Sequence, residues 1–592
     1  ALSITTTGDT KGNWIFVKDD EGKITSDESN GRTDGDGIFA LSAGGGAVNI
    51  TTLGAVTGGR HGINVQNNTD DGNNGKTSIT VGATSAITTS AVGGYGILNR
   101  MERNGLEGGV PLSKSDVPNV ITVAGTIKTT GAGAHGIVQD GGTSIANISG
   151  TVSAEGELAA AVFHKFGSGH TVNLAESAVI EGSISAANEA SNNILVYDED
   201  ADYELTIGGE VDVETGSKDE IKGTGAGQWS FYIEDDDGQL STKDPNGTVI
   251  EVEKVKNSEC VADTNACYTV VYEAPLAEEQ VKDISNIDND ALIDSLELGG
   301  SGGGSDKSGS STTTAAQAHH NTVWANVYGI KTTGDETDSR AEMKSRTAGF
   351  TIGVPIRTNS DLNWDLVFNM SDSKNKLGST GDQELNVQSY NLGAVFYNIA
   401  PSSGWDVDAF GFIGYNDYDQ ERDVRDNTEA DGIDTRKYSY SGNEILLGFD
   451  AEYYKPFNET LDLKFGVDGF LSHQKIDSYS TGEYYKWDTR NMTQGSIGVS
   501  TGVEHRKGAL MAYADIGVDY VTLLSGKTAD YSFNGQSRSF TASDTDDVYG
   551  KVNVGFEYNQ SENVIIDGKL SGFSSTGGIS GYAATLGIEV NF

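Results

Sequence analysis

Tyr582-Ala-Ala-Thr-Leu586-Gly-Ile588-Glu-Val590-Asn-Phe592 closes the chain in strict alternation. Tyr582, Ala584, Leu586, Ile588, Val590 and Phe592 fall on one face of an extended strand, and Ala583, Thr585, Gly587, Glu589 and Asn591 on the other. Period two of this kind marks a β-strand whose two faces meet different surroundings. The same pattern runs back to Thr322. Leu461-Asp-Leu-Lys-Phe-Gly-Val-Asp468 sets apolar residues against charges and Gly. Leu362, Trp364, Leu366, Phe368 and Met370 alternate with Asn363, Asp365, Asn369 and Ser371, as do Val548, Val552, Val554, Phe556 and Tyr558 with Lys551, Asn553 and Glu557.

A soluble, half-buried sheet would alternate too, and three features favour lipid instead. The segments reach about ten residues or more, the length a tilted strand needs to cross a bilayer. Trp405, Tyr415, Tyr453, Tyr454 and Tyr520 are expected near strand ends, where an interfacial girdle belongs. The second face carries Asp, Lys, Glu and Asn, which suits a water-filled lumen and would make a poor soluble core. About twelve such strands can be counted, an even number that brings both ends of a closed antiparallel barrel to one side. Asp419 to Lys437 and Lys475 to Asp488 are expected as long outer loops.

The rest of the 592-residue chain is β-rich in another style. Gly numbers 78 and Pro only 7, and no stretch rich in Ala, Leu, Glu and Lys points to a helical bundle. Forty basic residues face 86 acidic ones, a net charge of −46, which repels phosphate backbones and argues against nucleic-acid binding. Asp34-Gly-Asp36-Gly and Asp235-Asp-Asp-Gly238 read as turns, because the latter has Ile233 where a calcium loop needs its first ligand, and no closing Glu follows. Cys260 and Cys267, separated by six residues of loop-like composition, are expected to form a small disulfide in an oxidising compartment, and no further metal ligands lie near them. No run of about 18 apolar residues codes a transmembrane helix, no signal peptide is visible, and Ala1 is expected to be a mature N-terminus.

Residues 1–215 repeat two phrases. One is Gly-x-Gly-Ile, at Gly35 to Ile38 and Gly94 to Ile97, with variants ending at Ile63 and Ile137. The other pairs short β-branched runs, as in Val48 to Val56, Val120 to Ile127, Ile145 to Val152 and Leu205 to Val211. The isoleucines lie 25, 34 and 40 residues apart, so a coil of roughly 25 residues is kept while polar inserts, Asn67 to Thr77 and Met101 to Asn119, swell some turns. A right-handed parallel β-helix explains this, since each coil buries its apolar side chains on its neighbours and can extrude loops. A β-sandwich is the alternative. Residues 216–276 hold larger strands, among them Gln228 to Ile233 and Tyr268 to Tyr272, that would cap the solenoid's open end. Residues 277–321 then combine a helix, with Val281, Ile284, Ile287, Leu292, Ile293 and Leu296 at helical spacing, and the flexible Gly/Ser run from Gly299. Residues 322–592 are the barrel.

These residues resemble the autotransporter family of type V secretion. In that family a β-helical passenger is followed by a pore-threading linker and a C-terminal translocator barrel of twelve strands. The resemblance makes Val323-Trp324-Ala-Asn-Val-Tyr328-Gly329 the opening barrel strand. It makes Tyr582, Leu586, Ile588, Val590 and Phe592 the signal read by the barrel assembly machinery of the outer membrane. It implies an outer-membrane barrel in contact with lipid and periplasmic chaperones, a passenger on the cell surface and a surface ligand of unknown kind. The family's in-pore helix directly precedes the first strand. Here either Thr312 to His320 fills that place, or the earlier helix does and the Gly/Ser run is a loop. Asn286 to Asp290 carries asparagine, as some self-cleaving linkers do, but the matching motif is missing and the passenger is expected to stay attached.

No chemistry is expected of the passenger: no catalytic residues, cofactor or metal. Gly142-Thr-Ser144-Ile-Ala146 resembles a subtilisin-type nucleophile segment, yet the matching Asp and His segments are not recognisable, and Ser144 appears in the repeat in register with Ser78. His61 and His135, each just before Gly-Ile, are expected to be coil-exterior turn residues, and His164 and His170 complete the histidines of this half. A non-enzymatic adhesin or surface-structure protein is the leading reading. A hydrolase using carboxylates stacked on one β-helix face, and a porin with an accessory domain, are the alternatives.

Overall fold

A computed structural model gives the fold. It describes the chain apart from residues 1, 12, 19–23, 30–34, 43–45, 70–75, 104–109, 112–116, 188, 199–200, 210–228, 235–239, 242–249, 256–266, 275, 300–321, 336–341, 357–362, 379–382, 400–404, 483, 534–535, 543–545 and 562. Two compact units result: residues 1–274 with 423–435, and residues 275–422 with 436–592.

The first unit is a parallel β-helix of three sheets, which removes the sandwich alternative. Leu2–Thr6, Val48–Thr52, Thr77–Val81, Asn119–Val123, Ser144–Ile148, Thr171–Leu174, Asn193–Asp198 and Trp229–Glu234 run side by side on one face. Thr10–Lys11, Val56–Gly58, Ala86–Thr89, Thr126–Thr129, Thr151–Ala154 and Val179–Glu181 form the second. The third holds the Gly-x-Gly-Ile isoleucines. Ile38, Ile63, Ile97, Ile137, Val162, Ile184 and Ile207 pair in register, one above the next, all fully buried. A second buried column, Val56, Ile87, Ile127, Val152 and Ile180, lines the neighbouring sheet. Each such side chain contributes about 1.5–3 kcal/mol by leaving water.

The recurring second Gly of the phrase has a reason within this chain. A Cβ on Gly96 would lie 2.3 Å from Ile127 Cγ2 and 2.5 Å from the carbonyl of Gly136, too close for any side chain. Gly62 stands equally close to Ile87 and to the carbonyl of Gly96. The phrase is therefore a packing rule: glycine lets the coil corner approach the next coil, and the isoleucine after it fills the space below.

The second unit is a closed antiparallel barrel. Its twelve strands are Thr322–Gly334, Met343–Pro355, Asn363–Leu377, Gln383–Tyr397, Asp406–Asp426, Ile433–Pro456, Leu461–Ile476, Arg490–Lys507, Leu510–Ser525, Asp546–Ser561, Val564–Ser575 and Ile579–Asn591. Closure comes from pairing of the first strand with the last, from Thr322 opposite Asn591 to Gly334 opposite Ile579. The alternation is turned as its chemistry requires: Val327, Leu447, Ile497, Ile516, Val552 and Leu586 are exposed on the outer wall, and Asn326, Asn369, Asp515 and Lys569 are buried on the inner one.

Three expectations about this unit need correcting. The stretch Asp419 to Lys437 is mostly strand, because the fifth and sixth strands run 21 and 24 residues, well beyond what a bilayer needs. Lys475 to Asp488 likewise carries two short strands, Tyr479–Thr481 and Tyr485–Trp487, which join Thr528–Phe533 and Gln536–Thr541 in a small sheet over buried Tyr485, Trp487, Tyr531, Phe533 and Phe540. Tyr454 does not join the outer girdle. It is one residue out of phase with outward Tyr453 and turns into the lumen, where its hydroxyl donates to Glu452.

Candidate functional site

The lumen is not an open water channel, because the helix Leu276–Gly299 occupies it. The family's in-pore place therefore falls to the earlier helix, and residues 300–321 lie outside the described residues. Its described side chains are buried or half-buried on every side. Leu292 and Leu296 join Trp324, Val367, Val395, Tyr397, Phe410, Phe412, Leu446 and Phe470 in an apolar plug. Such a cluster is missed by a sequence reading that assigns every inner-wall residue to water, because its members are scattered over six strands.

Polar bonds hold the rest of the helix. Lys551 Nζ lies 3.3 Å from Asp290 and Lys569 Nζ 2.9 Å from Asp294, the latter lysine only 3% exposed in its side chain. Asn289 donates to Glu444 at 2.8 Å, Thr347 donates to Asp288 at 3.0 Å, and Ser295 Oγ is 2.7 Å from Thr351 Oγ1. At the helix start, the Tyr479 hydroxyl donates to Glu278 at 2.6 Å, and Arg490 donates to the Glu278 carbonyl. Charge pattern alone held a signal for these partners. Lysines on the inner face of strands, Lys551 and Lys569, complement an acidic helix.

Trp324 and Tyr328 both point inward. Trp324 Nε1 donates to Asp365 at 2.7 Å, and the Tyr328 hydroxyl accepts from Asn369 at 2.9 Å. Each ring lies over a glycine on the second strand, Gly353 and Gly349, where a Cβ would come within 2.4 Å of ring atoms. In the closing strand, Tyr582, Leu586 and Ile588 are exposed on the outer wall at 61%, 54% and 44%, and terminal Phe592 at 80%. Val590 shares their face. Cys260 lies outside the described residues, so the disulfide with Cys267 does too.

In the first unit the histidines are not exterior. His61 and His135 are each 7% exposed and stack in one column with Tyr95 and Phe163, ring centroids 4.6–5.5 Å apart. His61 Nδ1 accepts the Tyr95 N–H and His135 Nδ1 the Ala160 N–H, both at 2.9 Å, so each imidazole ties its coil to the next. Equivalent repeat positions were legible; the stacking that buries them was not. In the stretch read as a turn, Asp34 lies outside the described residues and Asp36 is buried. Asp36 is 2% exposed and takes both a bidentate Arg60 and Asn64 at 2.8–2.9 Å. Asp235 to Gly238 lies outside the described residues.

Ser144 is not in register with Ser78. Val120 pairs with Ser78 on one side and Ile145 on the other, so Ser144 stands opposite Asn119 and faces inward. A one-residue shift moves a strand residue to the opposite face. Inside, Ser144 Oγ lies 2.6 Å from His170 Nδ1. His170 Nε2 is 3.0 Å from the Phe166 carbonyl, which can only accept, so Nε2 carries the proton and Ser144 donates to Nδ1. That is the hydrogen bond a serine nucleophile needs, but both residues are 0% exposed, and the third partner is a backbone carbonyl instead of a carboxylate. His164, 2.9 Å from Asn193 Oδ1, and Trp229 stack beside them. Burial lowers His170 to about 4 against the raising effect of its bond to Phe166, and it lowers His164 further with help from His170. The seam is thus neutral.

Comparison with known proteins agrees with the barrel. The family model of the autotransporter beta-domain matches residues 323–571. Among solved structures, the translocator domain of the autotransporter NalP from Neisseria meningitidis is similar at 14% identity, with 54% of this chain and 100% of that one covered and a TM-score of 0.42. The transport unit of AIDA-I from Escherichia coli is similar at 13% identity (48% and 94% covered, TM-score 0.35), and the beta domain of the Bordetella autotransporter BrkA at 12% (46% and 100% covered, TM-score 0.34). No curated protein sequence matches the chain. The closed twelve-stranded barrel with a helix through its lumen thus coincides with the stretch that matches the autotransporter beta-domain, residues 323–571, and the β-helical first half precedes it.

Proposed function

We propose that the barrel displays the chain's own first half, still attached, on the cell surface, where it acts as a non-enzymatic adhesin or surface-structure protein. The observation that carries display is the polarity of the lumen helix. Its Leu296 end packs on Trp324, close to the rim that holds both Thr322 and Asn591. Its Glu278 end bonds Tyr479 and Arg490, at the link between the seventh and eighth strands. In a barrel of alternating strands, that link lies on the rim opposite the barrel's two ends. The Leu276 end of the helix therefore lies at the rim opposite the barrel's two ends, and on this reading those two ends are on the periplasmic side. The helix that fills the pore also argues against a porin.

Two features support a passenger without catalysis. The Ser144–His170 pair is sealed inside the solenoid. The outward row of the first sheet, Thr5, Thr51, Thr80, Thr122, Asn147 and Asn173, presents hydroxyls and amides, not the carboxylates a polysaccharide hydrolase would stack there. Antibody to residues 1–215 is expected to stain intact cells, with a full-length band on a gel, and externally added protease to abolish the staining. Staining that needs a permeabilised outer membrane would overturn display.

Insertion is proposed to depend on the assembly machinery recognising Tyr582, Leu586, Ile588, Val590 and Phe592, with periplasmic chaperones keeping the strands apart until then. Removal of Phe592 is expected to lower the amount of heat-modifiable barrel in the membrane severalfold; unchanged levels would sink this role for the terminal residue.

A further inference from the structure

Residues 423–435 stand far along the sequence from the β-helix, yet they are part of the first unit. Val424, Arg425 and Asp426 run parallel to Asp202, Tyr203 and Glu204 in register. Asn427, 4% exposed, is the centre of the attachment. Its side-chain oxygen accepts the Thr206 N–H at 2.7 Å, its amide donates to the carbonyls of Thr206 and Gly182 at 3.0 and 3.3 Å, and its own carbonyl accepts the Gly182 N–H at 2.9 Å. The Arg425 guanidinium donates twice to the Glu176 carbonyl, at 3.1 and 2.6 Å. Gly432, at φ +70°, closes the turn so near to coil Val179–Glu181 that a Cβ would lie 2.6 Å from Val179 Cγ1. The turn is held from within by Asp426, whose carboxylate takes the N–H and the hydroxyl of Thr428 at 2.8 and 2.7 Å.

The position of this segment in the solenoid gives it a task. Val179–Glu181 is the last strand of the second sheet among the described residues. A solenoid's final coil exposes backbone groups and apolar side chains that its neighbour would otherwise cover, and repeat folds need a cap there. Here the backbone groups of Glu176, Gly182 and Thr206 find their partners on 425–427. Strand addition of this kind is a recognised way for one segment to bind another, with main-chain bonds giving the affinity.

We propose that residues 423–435 are a built-in docking template for the β-helix: they bind the Glu176–Gly208 coils, cap the second sheet and are needed for the first half of the chain to reach its protease-resistant state. The surface recognised is a chain edge of this same protein, and the proposal holds wherever in the cell the first unit resides. A consequence is that the β-helix, cut away from residues 423–435, loses part of its own fold.

The experiment uses the full chain. Asn427→Ala, which strands the buried groups of Thr206 and Gly182, is expected to speed proteolysis of residues 1–208 about tenfold or more, as the loss of buried hydrogen bonds implies. Asn427→Asp, which keeps the acceptor for Thr206 but sets a carboxylate oxygen against the carbonyls of Thr206 and Gly182, is expected to be at least as damaging. The gel shift of the heat-modifiable barrel should be unchanged in both. A further pair, Glu204→Cys with Asp426→Cys, tests docking by proximity, since these residues are directly opposite in the ladder, and Asp426→Cys alone, which gives up the bonds to Thr428, is its control. The cross-link is expected to form under mild oxidation of the folded chain. Unchanged protease resistance in Asn427→Ala with an intact barrel overturns the template role, and absence of the cross-link in a folded chain overturns the docking.

Discussion

Excision of residues 277–296 from the full chain is expected to turn a closed barrel into a conducting one that prefers cations. With the helix in place, a cavity of about 190 Å³ is left beside it. That is room for a handful of waters at roughly 30 Å³ each and not for a continuous file of hydrated ions. A helix with its side chains is about 10–12 Å across. Its removal should raise single-channel conductance on the order of tenfold or more, because it vacates most of the lumen. Selectivity follows from the wall. Asp406, Asp408, Asp450, Glu452, Asp515 and Asp519 line the cavity against Lys464, Arg506 and Lys551, and Lys551 would lose its Asp290 partner. Rings of carboxylate favour cations at close quarters. The check is planar-bilayer recording of the purified variant after a gel shift has shown the barrel folded. A folded variant that conducts no more than its parent, or passes anions preferentially, would show that the helix is not the plug.

The barrel could be read from the sequence because its physics is local. One residue in two meets lipid, so each strand carries its own assignment, and Leu586, Ile588 and Val590 point outward as their period demands. The β-helix was legible for a similar reason: Ile38, Ile63, Ile97 and Ile137 repeat because they stack. What stayed hidden depends on partners distant in sequence. Ser144 reads as a neighbour of Ser78 until the ladder shows a one-residue offset, and its contact with His170 exists only because a coil returns 26 residues later. His61 and His135 look like turn residues until Tyr95 and Phe163 are found filling the gaps in their column. The inner wall misled for the opposite reason. Asp and Lys there imply water only if nothing else fills the pore, and the same charges serve an acidic helix when Lys551 and Lys569 meet Asp290 and Asp294. Asn427 gave no signal at all, since its value lies in backbone groups of Gly182 and Thr206.

Acid is expected to loosen the β-helix well before the barrel's closure fails, and the histidines set the window. In the unfolded chain each imidazole titrates near 6.5. Folded, His170 is held at about 4 by burial, with the bond to Phe166 opposing the shift. His61 is lowered to about 4, first by burial, then by Arg60 and Arg100, with the Asp36 carboxylate opposing. His164 lies well below its ordinary value, for burial and for the neighbouring His170. Each pKa is lower folded than unfolded, so between 6.5 and about 4 the unfolded state binds more protons. The stability these groups contribute is therefore complete above pH 6.5 and drains away as the pH falls toward 4. The bonding shows why. His61 Nδ1 accepts a backbone N–H and His170 Nδ1 accepts the Ser144 hydroxyl, so a second proton would set donor against donor. From pH 7.5 to pH 5 the loss should be roughly 1–2 kcal/mol each for His61 and His170, with His164 adding in the same direction. Limited proteolysis of residues 1–208 in the detergent-solubilised full chain at the two pH values is the measurement, with cleavage expected to accelerate at pH 5 by about tenfold per 1.4 kcal/mol lost. His170→Asn should weaken the fold at neutral pH and reduce the steepness of the acid limb, since one of the three protons is no longer taken up. Resistance that is the same at pH 5 and pH 7.5, or greater in acid, would mean that these rings are reached by water in the folded solenoid.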